Sequence, residues 1–194
     1  GAKANGNVSF IDGKNMFVPI GFEVEGKVSY QRTFSEGGDG RNGWSTITLP
    51  FSVQNVTAEG GKSVDWFHKT VDGKKDFWLK EFARSKDNEV VFENVETWRP
   101  NTPYLISVPN DKWGSEYSLK GKTLTFTASA TKVEPINVCA TVNDQLEFIG
   151  TTNEITVGKA YVMNSAGNAF DLANSAKVNP ARAYFIRSEE RRVG

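Results

Sequence analysis

Between Phe22 and Phe34 the apolar side chains fall on every second position. The even positions read Phe22, Val24, Gly26, Val28, Tyr30, Arg32 and Phe34, and the odd ones Glu23, Glu25, Lys27, Ser29, Gln31 and Thr33. Successive side chains of an extended chain point to opposite faces, so this spacing predicts a strand with one apolar and one solvated face. The alternation returns with Ile47, Leu49, Phe51 and Val53 on one side, and Pro50 marks an edge or a bend. Shorter strands are predicted over residues 64–69, 76–83, 89–95, 104–108, 123–129, 136–142, 146–149, 159–164 and 182–187.

Turn chemistry separates these runs. Asp12-Gly13, Asp39-Gly40 and Asp72-Gly73 tolerate the positive φ of tight turns, and Ser165-Ala166-Gly167-Asn168 makes residues 161–170 read as one hairpin. No window of ordinary helix length keeps a 3.6-residue apolar stripe with caps at both ends; a short turn over residues 171–176 is the one helical element expected. Short strands with turns between them predict an all-β chain built as an antiparallel β-sandwich, jelly-roll-like or immunoglobulin-like, with a closed β-barrel as the alternative. Residues 8–187 read as one sandwich module. A seam near 36–62, made of the glycine-rich stretch 36–43 and of 58–62, would set off two small sub-lobes. Residues 1–7 read as an expression boundary with Gly1 as a tag remnant, and 188–194 as a solvated tail.

Composition narrows the function classes. The chain has 194 residues, 38% hydrophobic and 24% charged, enough to bury a core without disulfides or a metal. Lys plus Arg and Asp plus Glu both number 23, so the formal charge is zero and the basic excess of a nucleic-acid or membrane-surface binder is missing. No apolar run is long enough to insert this segment in a membrane as a helix.

Chemistry-bearing residues are sparse. His68 is the only histidine; it shares a strand face with Val64 and Trp66, and no nucleophile-elbow pattern supplies a serine for a triad. Cys139, the only cysteine, has no partner for a disulfide and no second soft ligand for structural zinc, so it reads as a core-filling residue. Glu23 and Glu25 lie on one strand face, but that face is the solvated one, a poor setting for an acid and a base with separated pKa values. No strand–glycine–helix unit offers a phosphate cradle, no catalytic residues are assigned, and no cofactor is expected. Glu36, Asp39 and Asn42 in the glycine-rich loop offer three oxygen ligands for a metal, although their spacing does not match a helix-flanked calcium loop.

Aromatic residues are the most informative class. Of the five tryptophans, Trp113 stands apart because Asn110-Asp-Lys-Trp-Gly114 is polar turn chemistry around one large ring. Such a ring either stacks on a sugar or a partner protein or folds back over a sheet end. Trp98, followed by Arg99 and Pro100, is the second candidate of this kind.

An ordered series of short motifs runs through most of the chain. It comprises Phe10-Ile-Asp-Gly, Phe17-Val-Pro, Val28-Ser-Tyr-Gln-Arg-Thr-Phe34, Gly43-Trp-Ser-Thr-Ile-Thr-Leu-Pro-Phe51, Asn101-Thr-Pro-Tyr-Leu-Ile-Ser-Val108, Phe148-Ile-Gly-Thr151, Tyr161-Val-Met-Asn164 and Ala183-Tyr-Phe185. From Val8 to Ile186 the series resembles the C-terminal β-rich modules of secreted or surface-anchored proteins of Bacteroidetes, modules that often follow leucine-rich or immunoglobulin-like repeats. The long loop 37–43 departs from that pattern. The resemblance implies an extracellular or cell-surface setting within a larger protein, and it carries no activity or catalytic residues. The expectation is a non-enzymatic structural or adhesive module whose partners are glycans or other surface proteins. A carbohydrate-binding module using Trp113 and Trp98 is the alternative, and a glycoside-hydrolase-like enzyme built on scattered carboxylates is the second alternative.

Overall fold

The structure, a computed structural model, describes residues 1–68, 76–135 and 140–189. Seventeen strands occur among them. They are β1 (Ala2–Ala4), β2 (Val8–Ile11), β3 (Phe22–Thr33), β4 (Ser45–Ile47), β5 (Asn55–Ala58), β6 (Lys62–Val64), β7 (Trp78–Lys86), β8 (Glu89–Asn94) and β9 (Tyr104–Ser107). The remainder are β10 (Thr123–Val133), β11 (Ala140–Asn143), β12 (Leu146–Thr151), β13 (Ile155–Val157), β14 (Ala160–Met163), β15 (Phe170–Ala173), β16 (Ala176–Val178) and β17 (Arg182–Arg187). A single 3-10 turn, Ser115–Tyr117, accompanies them. The chain is all-β, as the alternation predicts.

The strands form three open sheets and a two-stranded ribbon. The first sheet has the order β1-β3-β10-β5-β6, with β2 also paired to β3; the middle sheet runs β4-β9-β7-β8; the third runs β11-β12-β17-β14-β15; β13 and β16 make the ribbon. None of the sheets closes on itself, so the barrel alternative is set aside in favour of the sandwich. Pairing is antiparallel throughout except that β1 and β2 both run parallel to β3.

Burial explains the stacking. The apolar row of β3 (Val24, Val28, Tyr30) and Leu124, Phe126 and Ala128 of β10 meet Ile47, Leu79, Tyr104 and Ile106 of the middle sheet in the largest core. The opposite face of the middle sheet sends Phe82 into a second core with Phe148, Ala183 and Phe185 of the third sheet. A third cluster joins Tyr184 and Ala160 of that sheet to Val178 of the ribbon, with Ile155 and Val157 packed against it. Strand β17 thus feeds alternate side chains to two cores, as period-two geometry requires.

Several sequence expectations change here. Sheet membership changes repeatedly along the chain, since β4 of the middle sheet lies in sequence between β3 and β5 of the first, and residues 58–62 form the turn of the β5–β6 hairpin, closed by Gly61 N–H donating to the Ala58 carbonyl at 3.0 Å. The expected helical turn at 171–176 is instead extended chain in β15 and β16, because both segments find strand partners. Leu49, Phe51 and Val53 are buried beyond the end of β4, but so is Thr48, and so is Thr46 within β4, since sheets cover both sides of this segment. The 161–170 hairpin is present, with Met163 opposite Phe170. Asp72-Gly73 and Cys139 lie outside the described residues.

A polar network straps the first sheet to the third. Asp12, after β2, accepts hydrogen bonds from Arg182 Nη1 at 2.8 Å, Arg182 Nη2 at 2.9 Å and the Tyr30 hydroxyl at 2.6 Å. Burial opposes ionisation of Asp12, but the Arg182 hydrogen bonds and charge outweigh it and hold the carboxyl below its ordinary value. Burial pushes the Tyr30 hydroxyl up to about 12, so it stays a neutral donor.

Candidate functional site

The third sheet covers only part of the middle sheet's outer face. Over the covered part, Phe82 is sealed by Phe148 and Phe185. Where the cover ends, the two sheets diverge into an open groove of about 870 Å³. Its aromatic lining comes from both layers: Trp44 and Phe92 from the middle sheet side, Tyr161, Phe170 and Phe185 from the third sheet. Phe92 stacks on Phe170 across the gap, with centroids 6.3 Å apart and planes 19° from parallel, so the floor of the groove is the unsealed margin of the second core. Around the mouth stand Asp87, Asn88 and Glu89 of the β7–β8 turn, Asp144 and Gln145 of the β11–β12 turn, Asn168 of the β14–β15 turn, and Arg187. Three hairpin turns therefore furnish the polar rim of an aromatic trough.

The rim is held in place by specific bonds. Asp144 Oδ2 accepts from the Ser85 main-chain N–H at 3.0 Å and from its hydroxyl at 3.3 Å, which clips the β11–β12 turn to β7. Arg187 Nε donates to the Tyr161 hydroxyl at 3.2 Å, and its guanidinium lies 5.8 Å from the centre of that ring. Asn168 donates from Nδ2 to Asn42 Oδ1 at 3.0 Å, joining the β14–β15 turn to the glycine-rich loop.

An aromatic row continues from the groove over the uncovered part of the middle sheet. Trp44 lies 6.0 Å from Trp78, Trp78 is met edge-on by Trp113 at 4.9 Å, and Phe67 stacks on Trp78 at 6.0 Å. Lys80 sits 5.7 Å over the Trp44 ring. Trp113 is thus a ring folded back onto a sheet, as one of the sequence alternatives held, yet 49% of its surface remains exposed. Trp98 is different. It is 1% exposed and packed among Trp66, Tyr104 and Phe126 in the largest core, so it presents no ring to a ligand; the expected role is withdrawn. Its neighbour Arg99 pairs with Glu81.

The three oxygen ligands proposed for a metal do not assemble. Glu36 pairs with Lys120 at 3.6 Å. Asp39 Oδ1 instead organises its own turn, accepting the main-chain N–H of Asn42 at 2.8 Å and of Arg41 at 3.0 Å, bonds that hold its carboxyl down at about 2. Asn42 spends its amide on Asp39 and Asn168. Among the described residues no group of three His, Cys, Asp or Glu side chains converges on a metal position. The loop is a built connector: Gly38 N–H donates to the Val108 carbonyl, Gly43 N–H to Ala166 and Trp44 N–H to Gly167. Gly43, at φ +80°, lies so close to Gly37 that a Cβ would collide with its main chain, which accounts for the glycine content.

His68 lies half-buried against Trp66, stacked at 4.7 Å, with Nε2 3.1 Å from Asp65 and Nδ1 3.4 Å from Glu96. The strand expected over 64–69 ends at Val64, so His68 stacks on Trp66 yet also reaches Asp65, which a continued alternation would have placed on the opposite face. Glu23 and Glu25 are exposed on β3, as expected of its solvated face. No local pattern announces the groove, because one wall comes from residues 85–92 and the other from residues 144–187; the half-buried Phe92 and Phe170 give no local signal that distinguishes them from core residues. Compared with protein-family models, with curated proteins and with solved structures, the chain matches none of them.

Proposed function

We propose that this chain is a non-catalytic adhesive module of a larger extracellular or surface-anchored protein, and that it grips a glycan chain in the groove between the middle and third sheets. The observation that carries the reading is the composition of that groove: an aromatic floor of Trp44, Phe92, Tyr161 and Phe170 beneath a rim of amides, carboxylates and a guanidinium. Sugar rings offer an apolar C–H face and equatorial hydroxyls, and this pairing of ring faces with short polar side chains complements both. The extracellular setting rests on the motif series, and detecting the protein at the cell surface by protease shaving would support it.

Affinity electrophoresis through gels containing neutral and acidic polysaccharides tests the reading. Retardation by at least one polysaccharide is expected, with loss of it in Trp44→Ala and Tyr161→Ala variants that keep the wild-type circular dichroism. Unretarded migration through every polysaccharide overturns it. Release of reducing ends, abolished by Asp144→Asn, Asp87→Asn or Glu89→Gln, would replace it with the hydrolase alternative.

A further inference from the structure

On the other side of Trp44 from the groove lies a second, smaller pocket of about 430 Å³, within the range of small-ligand sites. Arg32 lines it. The residue occupies the core-facing row of β3, between Tyr30 and Phe34, and is only 6% exposed. Its acceptors are neutral: Nη1 donates to the Thr46 carbonyl at 2.9 Å, Nη2 to the Ser45 hydroxyl, and the Tyr30 hydroxyl lies close by. The guanidinium stands 4.8 Å over the Phe34 ring. The carboxylate that attracts it, Asp12, is shared: Asp12 is hydrogen-bonded to Arg182, so the buried cluster holds two guanidiniums and one carboxylate, while Lys177 is matched by Glu154 at 3.0 Å. Even the rim carboxylate Glu36 is turned to Lys120.

A buried cation that shares its counter-charge with a second cation is costly, and a ligand carboxylate would supply the missing negative charge. Here the cost is visible: burial and the neighbouring charge of Arg182 outweigh the attraction of Tyr30 and Asp12 and push the Arg32 guanidinium down to about 10, though it remains charged at neutral pH. Phe34 and Trp44 line the pocket with aromatic surface, and Ser35, Asn164 and Asn179 add neutral hydrogen-bonding groups. We infer that this pocket binds a carboxylate-bearing ligand, either a small organic acid or the uronic-acid unit of a saccharide, with the carboxylate paired to Arg32. The guanidinium fork, fixed by Ser45 and Thr46, supplies the planar geometry a carboxylate matches.

Isothermal titration of the whole chain with sodium galacturonate, galactose, succinate and polygalacturonate tests the inference, with the Arg32 side-chain N–H resonance followed in parallel. Saturable binding of a carboxylate is expected, at least about tenfold tighter than galactose, with the Arg32 resonance shifting. Preference for galacturonate or its polymer identifies a saccharide source, and equal binding of succinate identifies a free acid. Arg32→Met should abolish the signal while preserving or raising Tm, because it removes the buried cation in excess of Asp12. Arg32→Lys keeps the charge but loses the fork and should weaken binding about tenfold. Lys177→Met removes a cation that already has a partner and should change affinity by no more than a few-fold. Should none of the carboxylates bind, or Lys177→Met cost as much as Arg32→Met, the inference fails.

Discussion

Thr46 and Ala183 exchange hydrogen bonds in both directions: the Ala183 main-chain N–H donates to Thr46 Oγ1 at 2.8 Å, and the Thr46 hydroxyl donates to the Ala183 carbonyl at 3.3 Å. One side chain of the middle sheet thereby stands in for a strand partner of β17. Two positions on, Thr48 repeats the device, its hydroxyl donating to the Arg182 carbonyl at 3.2 Å and its N–H to Ala181. The two layers are joined by hydroxyls as well as by the phenylalanines of the second core.

Thr46→Val keeps the shape and removes both bonds, stranding a buried main-chain donor and acceptor on Ala183. The cost of such groups is about 1–3 kcal/mol, and urea denaturation should register a loss of that size. Thr46→Ser restores the hydroxyl and should recover most of it. Equal stability of the valine variant and the wild type would refute the stand-in role.

The same junction explains Gly150. A Cβ there would run into the side chain of Thr48, so β12 can approach the middle sheet only without one. Gly150→Ala should destabilise the fold by roughly 1–3 kcal/mol through overpacking. The double variant Gly150→Ala with Thr48→Ala should regain part of the loss, and additivity of the two in denaturation would contradict direct contact.

These contacts mark where the sequence stops being readable. The face of β3 was legible residue by residue, Arg32 among the apolar positions included, because a 12-residue strand repeats its period often enough to fix its phase. The 161–170 hairpin was legible from its turn residues. Strands of three or four residues such as β13 and β16 carry no period, and their existence depends on each other. Thr46 and Thr48 look solvated in a one-sided alternation, yet a third layer covers them. Trp98 looks like a loop ring next to Pro100, yet Trp66, Tyr104 and Phe126 enclose it. The groove and the Arg32 pocket exist only once the third sheet lies on the middle one, so no local pattern could have announced them.

Acid should loosen the strap between the first and third sheets. Asp12 titrates lower in the folded protein than its ordinary value of 3.8, chiefly because its Arg182 hydrogen bonds overcome burial. A depressed carboxylate contributes stability that is present above the unfolded pKa and lost as pH falls through the folded one. Asp12→Asn should therefore be less stable than wild type at pH 7 by about 1–3 kcal/mol, the worth of its charge-assisted bonds. The gap should close as pH falls below 3.8 towards the folded value. Thermal melts across that acid range check this, and a difference independent of pH would exclude a role for the ionised form.

The row Trp44–Trp78–Trp113 leads away from the groove, so a long glycan should feel Trp113 and a short one should not. Trp113 leans edge-on against Trp78 with half of its surface open, and removing it leaves the groove lining untouched. Aromatic contacts of this kind contribute about 0.5–1.5 kcal/mol, a few-fold to about tenfold in affinity. Trp113→Ala should accordingly weaken retention by polysaccharide by that factor while disaccharide and trisaccharide fragments compete as well as before. Tyr161→Ala, inside the groove, should weaken both. An equal loss for short and long chains in Trp113→Ala would mean that the ring acts through packing on Trp78 and not through contact with the glycan.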